Sequence, residues 1–247
     1  FDSRKPLKTT NLIARATLHY IRIWDLAASS RPDIILANSS FIAKRIRKFY
    51  RRDSQVFYPP VDTNFFTYED HKSDFYLAAS RFVPYKRMDL IVEAFRTMPD
   101  KKLIIIGDGP DRAKIKKTST KNVEWLGYQN AEILRNYMQK ARAFIFAAKE
   151  DFGITPLEAQ ACGTPVIAFG QGGVKETIRE LNRPQSTGVF FTEQSATAIC
   201  EAVNKFESNL NKIKTAACRK NAERFSNERF RRELHAHIQT AWSDFQK

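Results

Sequence analysis

The chain has 247 residues, 43% of them hydrophobic, and its 41 basic and 27 acidic side chains leave a net charge of +14. That is material for one large domain or two smaller ones, with no apolar run near the roughly 20 residues that span a bilayer and no secretion-signal pattern. The positive excess calls for a polyanionic partner such as anionic lipid, nucleic acid or a phosphorylated small molecule.

Residues 9–30 have helical spacing through Leu12, Ile13, Ala16, Tyr20, Ile23 and Trp24. DIILANS (33–39) reads as a strand ending in a turn. FIAKRIRKFYRR (41–52) follows as an amphipathic helix: Ile42, Ile46, Phe49 and Tyr50 form an apolar face, surrounded by Lys44, Arg45, Arg47, Lys48, Arg51 and Arg52. Such a helix either lies on an anionic membrane surface or packs with its basic face in water. QVFYPPV (55–61) is a second strand, broken at Pro59 and Pro60, and DTNFFTYEDHKSD (62–74) reads as a linker. Two strands are too few to close a sheet, and the chain opens on Phe1 rather than Met. Residues 1–66 are therefore expected to be the remainder of a first domain whose start is missing.

A new register then begins. FYLAAS is a strand, RFVPYKR a loop, MDLIVEAFRTM a helix, KLIIIGDGP a strand and turn, and DRAKIKK a helix. VEWLGY, NAEILRNYMQKA, AFIFAA, TPLEAQAC, TPVIAFG, GGVKETIREL, TGVFF and SATAICEAVNKFE continue the alternation. Strands alternating with helices over short connections predict an α/β domain with a doubly wound parallel sheet, here over 67–226. Residues 227–247 form a C-terminal helix, with Phe230, Leu234, Ile238, Trp242 and Phe245 along one face.

Chemistry concentrates at the strand-to-helix turns, the edge where open α/β sheets bind ligands. Arg81 and Lys86 flank the loop after FYLAAS, two cations beside a helix start that suit a diphosphate. Gly107-Asp108-Gly109-Pro110 ends the next strand but lacks the third glycine of a dinucleotide fingerprint, since Arg112 stands there. Gly172 and Gly173 follow VIAFG. Glu150 sits just past AFIFA, and Glu158 is placed in the first turn of the following helix, with Thr155 as N-cap and Pro156 at the first helical position. Thr155 and Glu158 also satisfy the T-x-x-E capping box, so Glu158 is either a cap or a ligand contact. Cys162, Cys200 and Cys218 are odd in number, lack metal-ligand spacing and suit small buried residues in a reducing cytosol. No metal site and no nucleic-acid-binding pattern are present.

Taken in order, R-x4-K (Arg81, Lys86), G-x-G-P (Gly107 to Pro110) and E-x7-E (Glu150, Glu158) resemble the retaining glycosyltransferases of GT-B fold, family 4 or group 1. The segment ANSSFIAKRIRKFY…VFYPPVD resembles the end of that family's first domain, especially in its bacterial mannosyltransferase branch. The resemblance implies two Rossmann-like domains, a nucleotide-sugar donor (GDP-mannose first, otherwise a UDP-sugar), no cofactor and no catalytic metal. The acceptor would be a glycan or lipid-linked sugar in surface polysaccharide or lipopolysaccharide synthesis, at the cytoplasmic face of a membrane. Arg81 and Lys86 would hold the diphosphate, Glu150 the donor sugar's hydroxyls and Glu158 the ribose. Phe152, Gly153 and Thr155 would offer backbone groups. The G-x-G-P turn with Gly109, and Gly127, Tyr128 and Gln129 beside Asn130, would lie around the nucleotide and its base.

Ser80 stands where family members often carry glycine. The first domain's glycine-rich loop and acceptor-side residue should precede Phe1, so the chain alone is expected to bind donor weakly and not turn over. In the family the last helix crosses back onto the first domain. A sugar-nucleotide epimerase of related fold would share the diphosphate pocket but not this E-x7-E. A non-catalytic polyanion-binding module would not need Arg81, Lys86, Glu150 and Glu158 together.

Overall fold

A computed structural model describes residues 9–246, and they form two compact units that divide between Phe57 and Tyr58. The first unit holds helix α1 (Thr9–Ala28), strand β1 (Leu36–Ala37), helix α2 (Ser40–Tyr50) and strand β2 (Gln55–Val56). β1 and β2 pair in parallel, Leu36 opposite Gln55. The strands are far shorter than DIILANS and QVFYPPV suggest, and Pro59 and Pro60 cannot donate to a ladder. α2 starts where the Ser39 hydroxyl accepts from the Ile42 amide at 3.1 Å. The Tyr50 hydroxyl donates to Asp25 on α1 at 2.7 Å, and the Arg52 guanidinium donates to the Ser29 and Pro32 carbonyls. Along α1, Leu12, Ile13, Tyr20 and Trp24 are exposed.

The second unit runs through β3 (Tyr76–Ala79), α3 (Met88–Arg96), β4 (Leu103–Ile106), α4 (Arg112–Lys116), β5 (Val123–Gly127) and α5 (Ala131–Lys140). It continues with β6 (Ala143–Phe146), α6 (Ile154–Ala161), β7 (Val166–Phe169), α7 (Val174–Thr177), β8 (Gly188–Phe191), α8 (Ala196–Glu207), α9 (Thr215–Glu223) and α10 (Asn227–Phe245). The strands make one six-stranded sheet in the order β5-β4-β3-β6-β7-β8, and every pairing is parallel. β3, β4, β6 and β7 are buried along their whole length, as unbroken apolar runs such as LIII and AFIF require of strands covered on both faces. One core lies under α3 and α8 around Phe95, Ile105 and Phe206, and the other under α6 and α9 around Leu77, Phe144 and Leu157.

Chain order and strand order part company at the centre. From β3 the chain winds outward to β4 and β5, then returns so that β6 lies against the other side of β3. That reversal is the switch point of a doubly wound sheet, where the loops leaving the two central strands diverge and open a crevice.

Residues 62–74 are not a free linker. The Val61 amide donates to the Phe225 carbonyl at 2.8 Å, and Thr63 and Phe66 are buried. Arg219, on a helix that the apolar periodicity does not reveal, donates to the carbonyls of Thr63, Phe66 and Ala161 at 2.9–3.1 Å. The half-buried Lys72 ammonium donates to Gln139 O, Cys162 O and the Thr164 hydroxyl at 2.7–3.0 Å, and burial pushes its pKa down to about 8. Residues 58–66 thus pack with the sheet that follows them, and the compact unit starts ahead of the expected boundary at 67. Cys162 and Cys218 are free and buried, and burial pushes both thiols up to about 12. α10 is tied down at its start by Ser226, whose hydroxyl accepts from the Arg229 amide, and by Arg229, which donates to the Tyr58 carbonyl at 2.9 Å. Farther along, Ile238, Trp242 and Phe245 are exposed, and the last two rings stack with centroids 6.0 Å apart.

Candidate nucleotide-sugar site

The loops after β3, β4 and β5 are stitched together. The Phe82 amide donates to Asp108 O at 2.9 Å, Asp111 donates back to Phe82 O at 3.2 Å, and Gly107 donates to Gly127 O at 2.8 Å. So close is the G-x-G-P turn to the β3 loop that a Cβ on Gly107 would lie 1.9 Å from Ser80 O. Between these loops and the start of α6 lies a cavity of about 420 Å³, walled by Ser80, Arg81, Asp108, Tyr128, Gln129 and Thr155 among others. Its surface is mostly apolar, with Ala79, Ile106 and Leu134 at its floor and sides, which suits the face of a flat heterocycle. Tyr128 is 80% exposed at its rim, and the Gln129 amide donates to Leu126 O at 2.7 Å.

The turn contributes Gly107 and Asp108 to this wall. Gly109 instead packs against the Phe82 backbone, where an added Cβ would meet Phe82 O at 2.5 Å. Gly127 ends β5 and accepts from Gly107, also outside the lining. Ser80 (next to Arg81), Asp108 (the variable position of the G-x-G-P turn) and Leu134 also belong to the wall, although none of them was given a contact role. Their signal was position alone, since each follows a strand or lies on the helix after it.

Arg81 is exposed, and its guanidinium has no side-chain partner among the described residues. Lys86 ends a short 3₁₀ turn, Pro84–Lys86, that fits Pro84 at its start. Its ammonium lies 5.3 Å from the Tyr85 ring centroid and is ion-paired to the Glu150 carboxylate, both side chains about one-fifth exposed. The two residues come from the two central strands' loops, and the switch point is what joins them.

The β6–α6 loop is held by its neighbour after β7. Glu150 bridges to Gly172, and the Gly173 amide donates to Glu150 O at 2.9 Å. Phe152 is buried and stacks on Tyr58 at 5.8 Å, so its ring serves the core and only its backbone is available to a ligand.

The start of α6 differs from the sequence expectation. Its N-cap is Gly153, in the left-handed region at φ 86° and ψ 73°, with no side chain closing the first turn. Thr155 and Pro156 lie inside the helix, and no capping box forms. Glycine wins because the chain must turn sharply out of the loop, and a left-handed start is cheap only without a Cβ. Glu158 consequently falls in the second turn. It is half-buried, its carboxylate has no hydrogen-bond or ion-pair partner among the described residues, and burial pushes its pKa up to about 7. A desolvated carboxyl with unused acceptors is disfavoured by itself and suits a hydroxyl-bearing ligand. Among the described residues no cluster of His, Cys, Asp and Glu could hold a metal ion, and no helix is long and apolar enough to cross a membrane.

Residues 62–225 match the family model described as glycosyl transferases group 1. Among curated proteins, the chain is 28% identical over 156 residues to an uncharacterized glycosyltransferase of Methanocaldococcus jannaschii, covering 61% of this chain and 44% of that one. It is 35% identical over 114 residues to a GDP-mannose-dependent phosphatidylinositol monomannoside mannosyltransferase of Corynebacterium glutamicum, covering 40% and 30%. The chain thus spans less than half the length of these relatives. Among solved structures, sucrose-phosphate synthase of Thermosynechococcus elongatus superposes with a TM-score of 0.78 at 19% identity over 90% of this chain and 62% of that one. Anabaena HepE, solved with UDP-glucose, gives 0.76 at 20% identity over 89% and 67%. Both likenesses establish the fold.

Proposed function

Since the chain belongs to the glycosyl transferases group 1 family, we propose that it is the donor-binding half of a retaining glycosyltransferase. In this reading the donor is a nucleoside diphosphate sugar, GDP-mannose before UDP-sugars, and the acceptor is a glycan or lipid-linked sugar of a surface polysaccharide. The observation that carries the reading is the Lys86–Glu150 ion pair at the switch point, which joins the loops after β3 and β6, beside a cavity lined by both Arg81 and Thr155 at the open start of α6.

Each residue has a task that its surroundings suit. The base lies in the apolar cavity against Tyr128 and Gln129, and the ribose hydroxyls donate to Glu158. Arg81, Lys86 and the α6 amides take the diphosphate. As the sugar–oxygen bond breaks, negative charge grows on the leaving phosphate, and fixed cations with a helix N-terminus stabilise that charge without reorganising. These groups do the work a metal ion does elsewhere, so EDTA should leave donor binding unchanged. Glu150 accepts from the donor sugar's hydroxyls and orients the ring; it is not assigned as a covalent nucleophile.

Corynebacterium glutamicum's relative is named as GDP-mannose-dependent, which supports mannose as the first donor to test, and HepE was solved with UDP-glucose, which keeps uridine in the test. Calorimetric titration with GDP-mannose, UDP-glucose, UDP-N-acetylglucosamine and the free diphosphates decides between them. Binding of none of these would overturn the reading. The exposed face of α2 supports peripheral attachment to an anionic cytoplasmic membrane face: Lys44, Arg45, Lys48 and Phe49 are all exposed, and Lys48 lies 5.4 Å from the Phe49 centroid. Sedimentation with phosphatidylglycerol vesicles, but not with phosphatidylcholine vesicles, is the expected result.

A further inference from the structure

Lys86 and Arg81 are paired in the proposed diphosphate clamp, yet they stand differently. Arg81 is exposed and has no side-chain partner among the described residues, whereas the Lys86 ammonium is bonded to Glu150. The two partners are about one-fifth exposed, so each depends on the other more than on water. An anion arriving at Lys86 must share or break that bond. It also meets the Glu150 carboxylate, a like charge within bonding distance of the same nitrogen, and like charges in a half-desolvated site repel strongly.

We propose that Glu150 sets the protein's preference between donor and spent nucleotide by competing with the diphosphate for Lys86. The inference rests on the diphosphate-clamp reading above. A nucleotide sugar brings hydroxyls that donate to the Glu150 carboxylate, giving it a replacement for the ammonium it gives up. A bare nucleoside diphosphate brings no such donor, so Glu150 keeps its hold on Lys86 and the diphosphate is bound against it. The backbone makes this competition local. Glu150 is fixed by its bridge to Gly172 and by the Gly173 amide, so only its side chain need swing between ammonium and sugar. Glu150 thereby acts twice, orienting the sugar before transfer and weakening the product's grip after it.

The test is calorimetry on wild type, Glu150→Gln, Lys86→Ala and the double variant, with pyrophosphate, GDP, UDP, GDP-mannose and UDP-glucose. Glu150→Gln should bind pyrophosphate and the nucleoside diphosphates about 3–10-fold tighter, the scale of an ion pair at a partly enclosed site. Its affinity for the preferred nucleotide sugar should fall or stay level, so the donor-to-product ratio drops. Adding Lys86→Ala should abolish the gain. Glu150→Ala, which removes the acceptor altogether, should reproduce the gain, and matching melting curves exclude an unfolded variant. Glu150→Gln binding diphosphates no tighter than wild type, while Lys86→Ala weakens them, overturns this inference and leaves the clamp standing. Lys86→Ala without effect on diphosphates overturns both.

Discussion

Helices α5 and α6 are neighbours in the chain and leave the same edge of the same parallel sheet, yet they begin in opposite ways. At α5 the Asn130 side chain accepts from the Ile133 amide at 2.9 Å and closes its own first turn. At α6 the chain enters through Gly153 with a positive φ and brings no side chain to its first turn. The first turn of a helix has four amides to satisfy. α5 spends one on itself; α6, in which Pro156 has no amide hydrogen to give, keeps the others for an acceptor from elsewhere, with the positive end of the helix dipole behind them. A helix closed by its own residue is architecture, and one opened by glycine can serve a ligand. The string T-x-x-E at 155–158 looks like a closed start and is not one, because the cap position had already been taken by Gly153.

The contrast can be broken first at the loop that supports the open start. In Gly172→Ala the new Cβ would lie 2.3 Å from Glu150 O, at a φ of +87°. Backbone cannot yield as a flexible side chain does, so a loss of about 3 kcal/mol or more is expected in chemical denaturation, together with loss of nucleotide binding. A loss under about 1 kcal/mol would mean that the β6–α6 loop can shift freely.

Next in size are the cations that the open start complements. Lys86→Ala and Arg81→Ala should each weaken nucleoside diphosphate binding by about 1.5–3 kcal/mol, the worth of a charged hydrogen bond. Unchanged affinity in both would remove the diphosphate from this edge of the sheet.

Glu158 sharpens the comparison through pH. Its folded pKa of about 7 lies above the ordinary 4.5, so the native state holds a proton that the unfolded state has released between those values. Stability from this group is complete below pH 4.5, falls as pH rises and is lost above about 7. Glu158→Gln removes that slope. The variant should match wild type near pH 4.5 and be more stable at pH 8 by roughly 1–2 kcal/mol, less than the full shift implies because the carboxyl is part-exposed. At pH 8 its nucleotide affinity should nonetheless fall. A parallel stability–pH curve for the two proteins would mean that Glu158 is well solvated.

The smallest effect belongs to the closed start. Asn130→Ala removes a side-chain cap and should cost about 1 kcal/mol in thermal or denaturant melts. Binding of pyrophosphate, which carries no base, should be unchanged, since the cap serves α5 and not the clamp. A weakened pyrophosphate affinity would mean that the two helix starts are not separable.

What the chain declares by itself is whatever short-range chemistry controls. Apolar runs such as LIII and AFIF specify buried parallel strands, and their alternation with helices puts every strand-to-helix loop on one edge. Arg81, Lys86, Glu150 and Gly172 each follow a strand in the sequence, and in the fold they lie on that one edge. The short helix α9 was not legible, because TAACRKNAE is mostly polar and buries only Cys218, Asn221 and Ala222. Nor was the packing of residues 58–66, which read as the end of a strand and the start of a linker, and where Arg219 gathers the carbonyls of Thr63 and Phe66. Three decisions at the site belonged to tertiary structure alone. Strand order set β6 beside β3 and so joined Lys86 to Glu150 across 64 positions. The pairing of the β6–α6 loop with the loop after β7, Glu150 against Gly172, holds the turn that puts the helix start at Gly153 and takes the cap from Thr155. The packing around α6 withdrew Glu158 from water and gave it no protein partner. Propensity and periodicity act over a few neighbouring residues, whereas proximity and desolvation depend on which distant segments come to lie alongside.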